Sequence, residues 1–329
     1  NTATWDITPT NYYTYRGPLI EEARTNLLSY SSEFDNAAWI KQNTTVTATA
    51  LKSPIAGQVV YSAVPTGVGI NSVYRVMPFT NSGVISVIAK ANGYSKLKIT
   101  SGATFSVIFD LGLGTIYSEV GATAEIQNLG DGWYRCVVVR ASSFSNSVGF
   151  EQFTDAYTRV STDADGVSGM LFAHAQLESN VLAASSPIIT TTAAVTRNAD
   201  ALSYDTANWF ADGKAGTMQV DADYLNTPEN YKSISRLWLT LGNSANNRML
   251  IYNRSGNDSV GVIYRTLSTT RYQDSITDIS GTVVPLRASV SFGGGLSFAS
   301  SGQLKTTATD FPLLDSANKL CIGTDQVGG

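Results

Sequence analysis

The feature that most constrains the fold of this chain is the period at which its apolar residues recur. Short runs rich in Val, Ile, Thr and aromatics include GVISVIAK (83–90), KLKIT (96–100), TFSVIFDL (104–111), YRCVVVRA (134–141) and TRVSTD (158–163). A second series follows, with GTMQVDADY (216–224), ISRLWLTLG (234–242), RMLIYNRSG (248–256), VGVIYRTL (260–267) and PLRASVSFG (285–293). Many alternate with a period of two, which gives a strand one face for a core and one for water. In RLWLTL, Leu237, Leu239 and Leu241 fall on one side, with Trp238 and Thr240 on the other. Gly, Asn, Ser and Asp interrupt the runs, as turns require. No segment longer than a few turns repeats at i, i+3, i+4 and i+7. The pattern predicts an all-β chain of two antiparallel β-sandwich or jelly-roll domains in tandem, not a parallel α/β fold.

A length of 329 residues fits two domains better than one. The strand series part at SPIITTTAAVTRNADALSYD (186–205), whose Thr, Ala and Asn suit an extended connector. The expected organisation is an N-terminal connecting arm over 1–22, a first module over 23–190, a linker over 191–207 and a second sandwich over 208–329. The arm carries Tyr12, Tyr13 and Tyr15, an aromatic cluster expected to meet a neighbouring subunit. The opening NTATWDITPT has neither an initiating Met nor the layout of a signal peptide, and reads as the start of a fragment or processed chain.

Composition closes off much chemistry. A net charge of −4 gives no basic field to hold a phosphate backbone, so nucleic acid is not expected as a partner. No apolar run approaches the roughly 20 residues that span a bilayer, so membrane insertion is not expected either. Cys136 and Cys321 match no CxxC spacing and read as two buried free thiols. A Ser-His-Asp triad would have to use His174, the single histidine, which alternates with Phe172 in LFAHAQLE and reads as strand interior or edge rather than a catalytic place. Zinc sites built from several His or Cys are excluded by count. The carboxylate doublets Asp221 with Asp223, Asp163 with Asp165, and Glu151 with Asp155 read as solvated strand faces or turns rather than a glycosidase pair. TDADG (162–166) has the outline of a calcium loop without the downstream bidentate Glu. Asp163 and Asp165 are thus weak candidates for a structural Ca²⁺; the simpler reading is a turn, and no cofactor is predicted.

Three segments carry a resemblance: ARTNLLSYSSEFDNAAWIK (23–41), NLGDGWYRCVVVRA (128–141) and DGVSGMLFAHAQLESNVLAASSPIITTTAAVTRNAD (165–200). In order and spacing they resemble the opening, the "DGWYR" strand and the closing signature of the carbohydrate-binding-like jelly-roll module of bacteriophage tail-fibre and head-fibre virion proteins. The chain departs from that pattern at AHAQLE, where a Gly usually precedes the Ala-Gln, and at AASSPIIT, where a Tyr is usual. From Trp209 to Thr217, and again at KLCIGTD (319–325), it is similar to a concanavalin-like (laminin-G-like) sandwich. There the resemblance implies a further segment docking back on the sheet, whereas this sequence stops at QVGG, so the second sandwich reads as one truncated or completed by a partner chain.

These residues also have plain physical readings. Phe34 and Trp39 offer large apolar areas to lock the first strand onto the opposite sheet. Gly130, Asp131 and Gly132 read as a turn, after which Trp133, Arg135, Val137 and Val139 alternate along a strand. Gln176 and Glu178 share a strand face, where buried polar ends would need backbone partners. Arg24, Arg197 and Asp200 are placed to tie the start of the module to its end.

The resemblance implies a non-catalytic component of a virion surface, a tail or head fibre assembled as a homotrimer and joined to other virion proteins through its arm. It would hold bacterial surface polysaccharide through many weak sites made strong by avidity. Candidate sugar contacts are Tyr94, Tyr117 and Tyr157 in the first module, and Tyr252, Arg254, Asp258, Tyr264, Arg271 and Tyr272 in the second. The rival readings are a structural capsid or tail spacer without ligand, a polysaccharide-degrading fibre enzyme acting through Asp221, and a bacterial adhesin.

Overall fold

β-Branched runs cut by Gly and Asn form strands, and no helix occurs among the described residues. The computed structural model describes residues 21–77, 81–102, 104–143, 146–153, 164–200, 202–207, 215–223, 236–244, 247–254, 259–266, 269–277, 285–292, 295–300, 303–307 and 319–322. They fall into two units.

The unit over 23–198 opens with β1 (Arg24–Asn26), β2 (Ile40–Gln42), β3 (Thr44–Thr49), β4 (Val60–Pro65), β5 (Ser72–Met77), β6 (Gly83–Asn92) and β7 (Lys96–Ser101). It continues with β8 (Phe105–Asp110), β9 (Thr115–Val120), β10 (Thr123–Gly130), β11 (Trp133–Arg140), β12 (Asn146–Phe153), β13 (Gly169–Ser179) and β14 (Val195–Arg197). Two six-stranded antiparallel sheets result, in the orders β10-β11-β6-β13-β4-β3 and β2-β5-β12-β7-β8-β9, with β1 and β14 as a separate pair.

Alternation sends Ile85, Val87, Cys136, Val138 and Leu177 from the first sheet, and Leu97, Ile99, Val107, Phe109 and Phe150 from the second, into one core. Phe34 and Trp39 fill its centre, buried and 5.0 Å apart between ring centroids, with Phe172 5.3 Å from Phe34 and Phe150 5.9 Å from Trp39. Aromatic pairs at such separations add stabilisation beyond their buried area. The Trp39 indole N–H donates to the Tyr30 carbonyl at 2.9 Å, so its polar edge is satisfied inside the core. Gly130, Asp131 and Gly132 all take positive φ and turn β10 into β11.

One irregularity decides where the polar residues go. Along β13 the register with β6 shifts between Phe172 and His174. Without a bulge these two side chains would share a face, as the alternation in LFAHAQLE predicts. The extra residue, Ala173, reverses the phase. Phe172 joins the main core, while His174, Gln176 and Glu178 pass to the opposite face of the sheet.

The stretch read as a linker, 191–207, is built into strands at both ends. Thr and Val supply β-formers on either side, and each finds a partner. β14 pairs with β1 in the register Arg24↔Arg197, Thr25↔Thr196 and Asn26↔Val195, closing the first unit. The units divide at Asn198 and Ala199. Immediately beyond, Asp200 accepts from the Glu21 amide at 2.9 Å and its own amide donates to the Glu21 carbonyl. The rest of the arm lies outside the described residues.

The second unit holds β15 (Leu202–Asp205), β16 (Gly216–Asp223), β17 (Arg236–Ser244), β18 (Asn247–Arg254), β19 (Ser259–Thr266) and β20 (Thr269–Thr277). β21 (Pro285–Phe292), β22 (Leu296–Ser300), β23 (Gln303–Thr307) and β24 (Lys319–Ile322) follow. Its antiparallel sheets run β15-β24-β17-β18-β19-β20 and β16-β21-β22-β23, around a core of Leu239, Leu241, Met249, Ile251, Val260, Val262, Tyr264, Val290 and Phe298. A register shift between Leu237 and Leu239 interrupts the alternation read along RLWLTL, and Thr240 is buried as well. β24 pairs on both sides, with β15 and with β17.

Candidate functional site

The densest polar constellation lies on the outer face of β13. Gln176 accepts from the Ile188 amide at 2.7 Å and donates to Ser185 Oγ at 3.1 Å. Glu178 accepts from the Ser185 hydroxyl at 2.7 Å and from its amide at 3.1 Å, with Arg24 Nε 3.8 Å away. From β11, Arg135 donates to the Ser185 carbonyl at 2.6 Å and to Ser86 Oγ at 3.1 Å. Asn26 donates to the carbonyls of Ala175 and Ile188 and accepts from the Leu177 amide. The AQLE motif is therefore a clasp that fastens the closing segment, 185–190, over the sheet. Buried polar groups need such pairing. The expectation that Arg24, Arg197 and Asp200 bind start to end is met differently: Arg24 faces Glu178, Arg197 donates to Ser186 Oγ at 2.7 Å, and Asp200 caps Glu21.

Ser32 and His174 look at first like a nucleophile and its base, with Ser32 Oγ 3.1 Å from Nδ1 and Gln176 Oε1 3.3 Å from Nε2. Three features oppose that chemistry. The third member is a neutral amide, which does not stabilise an imidazolium as a carboxylate would. Burial, reinforced by the Arg135 charge and only partly offset by the Gln176 hydrogen bond, pushes the His174 pKa down to about 4, making it a poor base. Ser32 and His174 are 3% and 1% exposed, so a substrate has no approach.

The second arrangement is the outer face of the sheet containing β12. One cross-strand row runs Ile40, Tyr74, Gly149, Thr100, Ser106 and Val120 across all six strands. Tyr74 and Thr100 are half-buried, and Ile40 and Val120 are exposed. Gly149 leaves a shallow hollow between Tyr74 and Thr100: a Cβ there would lie 3.4 Å from Tyr74 Cβ and 3.7 Å from Thr100 Cγ2. In the next row Lys98 and Glu151 pair at 2.8 Å, and beyond them Lys96 and Asp110 pair at 2.6 Å. The other sheet of this unit is covered on its outer side by the closing segment and by Ile55, which packs on Trp133, Ile88 and Leu171. At its β3 edge a hollow of about 380 Å³ is lined by Thr45, Thr47, Val64, Pro65, Thr66, Ala164 and Gly166.

Among the described side chains, the sugar contacts read from sequence do not gather into one site. Tyr264 is 2% exposed inside the second core, and Tyr252 is 5% exposed with its ring over Gly261, where a Cβ would come within 2.7 Å of it. A ring buried on both faces has none to offer a sugar. Arg254, Arg271 and Tyr272 lie on β18 and β20, their side chains outside the described set, while Asp258, Tyr157 and Asp163 are outside the described residues. In the first unit Tyr117 is exposed on β9 and Tyr94 is half-buried. Both Asp165 carboxylate oxygens take up turn donors, from Ser168 Oγ at 2.6 Å and from the amides of Val167 and Ser168, which hold its pKa below the usual range. Among the described residues no three His, Cys, Asp or Glu side chains gather as a metal site. Cys136 and Cys321 are free and buried, and burial raises the Cys136 pKa well above that of a free thiol. The Tyr74–Gly149–Thr100 row escaped sequence reasoning; its signal was a lone Gly inside the strand SVGFEQF.

Compared with known proteins, the chain matches no family model and no curated protein.

Proposed function

We propose that this protein is a non-catalytic component of a bacteriophage virion surface, a tail or head fibre, that holds polysaccharide of the bacterial host. The observation that carries the reading is the contrast between the two sheets of the first unit. One is roofed by its own chain, while the other presents a partly exposed row with an aromatic, a hollow and hydroxyls. Stacking of a sugar's C–H face on Tyr74, with hydroxyl contacts from Thr100 and Ser106, needs no more than this row supplies. The three ordered motifs between residues 23 and 200 support the virion setting by resemblance. The buried carboxylates on this unit's sheets support a non-catalytic role, since Asp110, Glu151 and Glu178 each face a cation. Assembly into a multimer would turn weak single sites into firm attachment.

The test is a glycan array built from bacterial surface polysaccharides, probed with the full chain and with Tyr74→Ala. Binding that falls at least about tenfold in the variant, the loss of one stacked ring, is the expected result. Absence of binding to every polysaccharide would favour the spacer reading. Release of reducing ends from a bound glycan would move the protein to the enzyme class.

A further inference from the structure

Sheet edges are where strands from other chains add, and proteins guard them with charge, proline, bulges or short length. Most edge strands of the large sheets carry such a guard. Lys41, Glu119, Glu125, Asp221, Asp274 and Lys305 place a charge on β2, β9, β10, β16, β20 and β23, and β15 is four residues long. β3 is different. Its six residues, TTVTAT, hold no charge, and its register with β4 runs unbroken from Thr44 to Thr49.

The Thr66 amide donates to the Asn43 carbonyl at 2.8 Å, which sets the phase of the ladder. Thr45, Thr47 and Thr49 therefore exchange backbone bonds with β4, and Thr44, Val46 and Ala48 turn theirs toward the open edge. Pro65 sits opposite Thr44, where no N–H is required of it. Among the described residues no strand pairs with that edge.

We propose that β3 is an assembly edge, and that its partner is β3 of a second copy of this chain, antiparallel about a two-fold axis through Val46. The sequence is self-complementary in that register. Thr44 and Ala48 exchange backbone bonds with Ala48 and Thr44 of the other copy, and Val46 with Val46. Thr45 then lies opposite Thr47, twice over. A hydroxyl both donates and accepts, so identical side chains satisfy each other, and this protein already uses that contact. Thr25 and Thr196, opposite each other on β1 and β14, share a hydroxyl bond of 2.8 Å, and so do Thr217 and Ser291 on β16 and β21. Thr45 and Thr47 are exposed, and with no charge on the strand two copies do not repel. An isologous contact of this kind gives a closed dimer and continues one six-stranded sheet into the next copy.

The measurement is sedimentation velocity on the full chain over a range of concentrations, beside two double variants. Wild type is expected to rise from its monomer mass of 35.1 kDa toward a dimer. Thr45→Lys with Thr47→Lys sets like charges across the axis and is expected to weaken the dimer at least about tenfold. Thr45→Glu with Thr47→Lys disturbs the strand as much but sets opposite charges across the axis, and is expected to restore a dimer that salt weakens. Its recovery separates a lost contact from a misfolded strand. A wild type that stays monomeric throughout, or an assembly of any size that the two lysines leave unchanged, overturns the proposal.

Discussion

His174 shows how one residue is shaped by its surroundings. The imidazole is sealed between Ser32 and Gln176, with Arg135 nearby, and it is held neutral. In the unfolded chain its pKa returns to roughly 6.5, against about 4 in the fold. Between those values the unfolded state binds the proton and the folded state does not, so stability falls as pH drops. The contribution is fully present above pH 6.5 and is lost through the window down to 4, on the order of 3 kcal/mol in all. Urea unfolding at pH 7.5 and pH 5 is expected to show a loss of about 2 kcal/mol in wild type and a much smaller one in His174→Gln, which keeps a neutral hydrogen-bonding side chain. Equal losses in the two proteins would mean that carboxylates, not His174, govern the acid limb. The same residue marks the reach of sequence reading. That His174 sits in a strand followed from its apolar neighbours, but its burial and its face depended on one inserted residue that alternation alone does not register.

At the scale of the element, β13 makes that dependence concrete. Residues 169–172 obey one phase and 174–179 the other, and Ala173 is the hinge between them. Deleting Ala173 would remove the bulge and leave every face as it is: Phe172 stays opposite Ala89 and points into the core, His174 stays opposite Ile88, and Gln176 and Glu178 remain on the outer face. The deletion is therefore expected to retain cooperative unfolding and near-ultraviolet dichroism, losing only the packing of the Ala173 methyl group beside Leu171 and Trp133. Loss of both signals would show that the bulge itself, and not only the phase it sets, holds the closing segment in place.

Other elements differ in how far the sequence exposed them. The Phe34 and Trp39 core was legible because large rings in a polar segment have nowhere else to go. Tyr264 was misread as a sugar contact: Val260 and Val262 share its parity and place it in the core, but a tyrosine's polar tip made it resemble a binding residue. β14 and β15 were missed because three- and four-residue strands in a Thr/Ala/Asn stretch carry no period of their own. Only the partner strand reveals them.

On the scale of the whole molecule, the two units have separate buried clusters, and each sheet draws all its strands from one unit. The first is closed by its own ends, since β1 and β14 pair and the clasp at Ser185 holds the closing segment beside them. A domain with its own core and joined ends meets the conditions for folding alone. Residues 23–198, expressed without the rest, are therefore expected to unfold in one cooperative step, at a midpoint within a few degrees of one of two transitions in the calorimetric trace of the full chain. Ending the fragment at Ser179 instead removes β14 and the residues that satisfy Gln176 and Glu178. That shorter piece is expected to lose the transition, because it exposes the apolar surface that Ile188 and its neighbours cover and removes the hydrogen bonds by which Asn26, Arg135 and Gln176 hold the segment to the sheet. If the shorter piece melts as the longer one does, the clasp is an ornament of the fold and the jelly roll stands on its aromatic core alone.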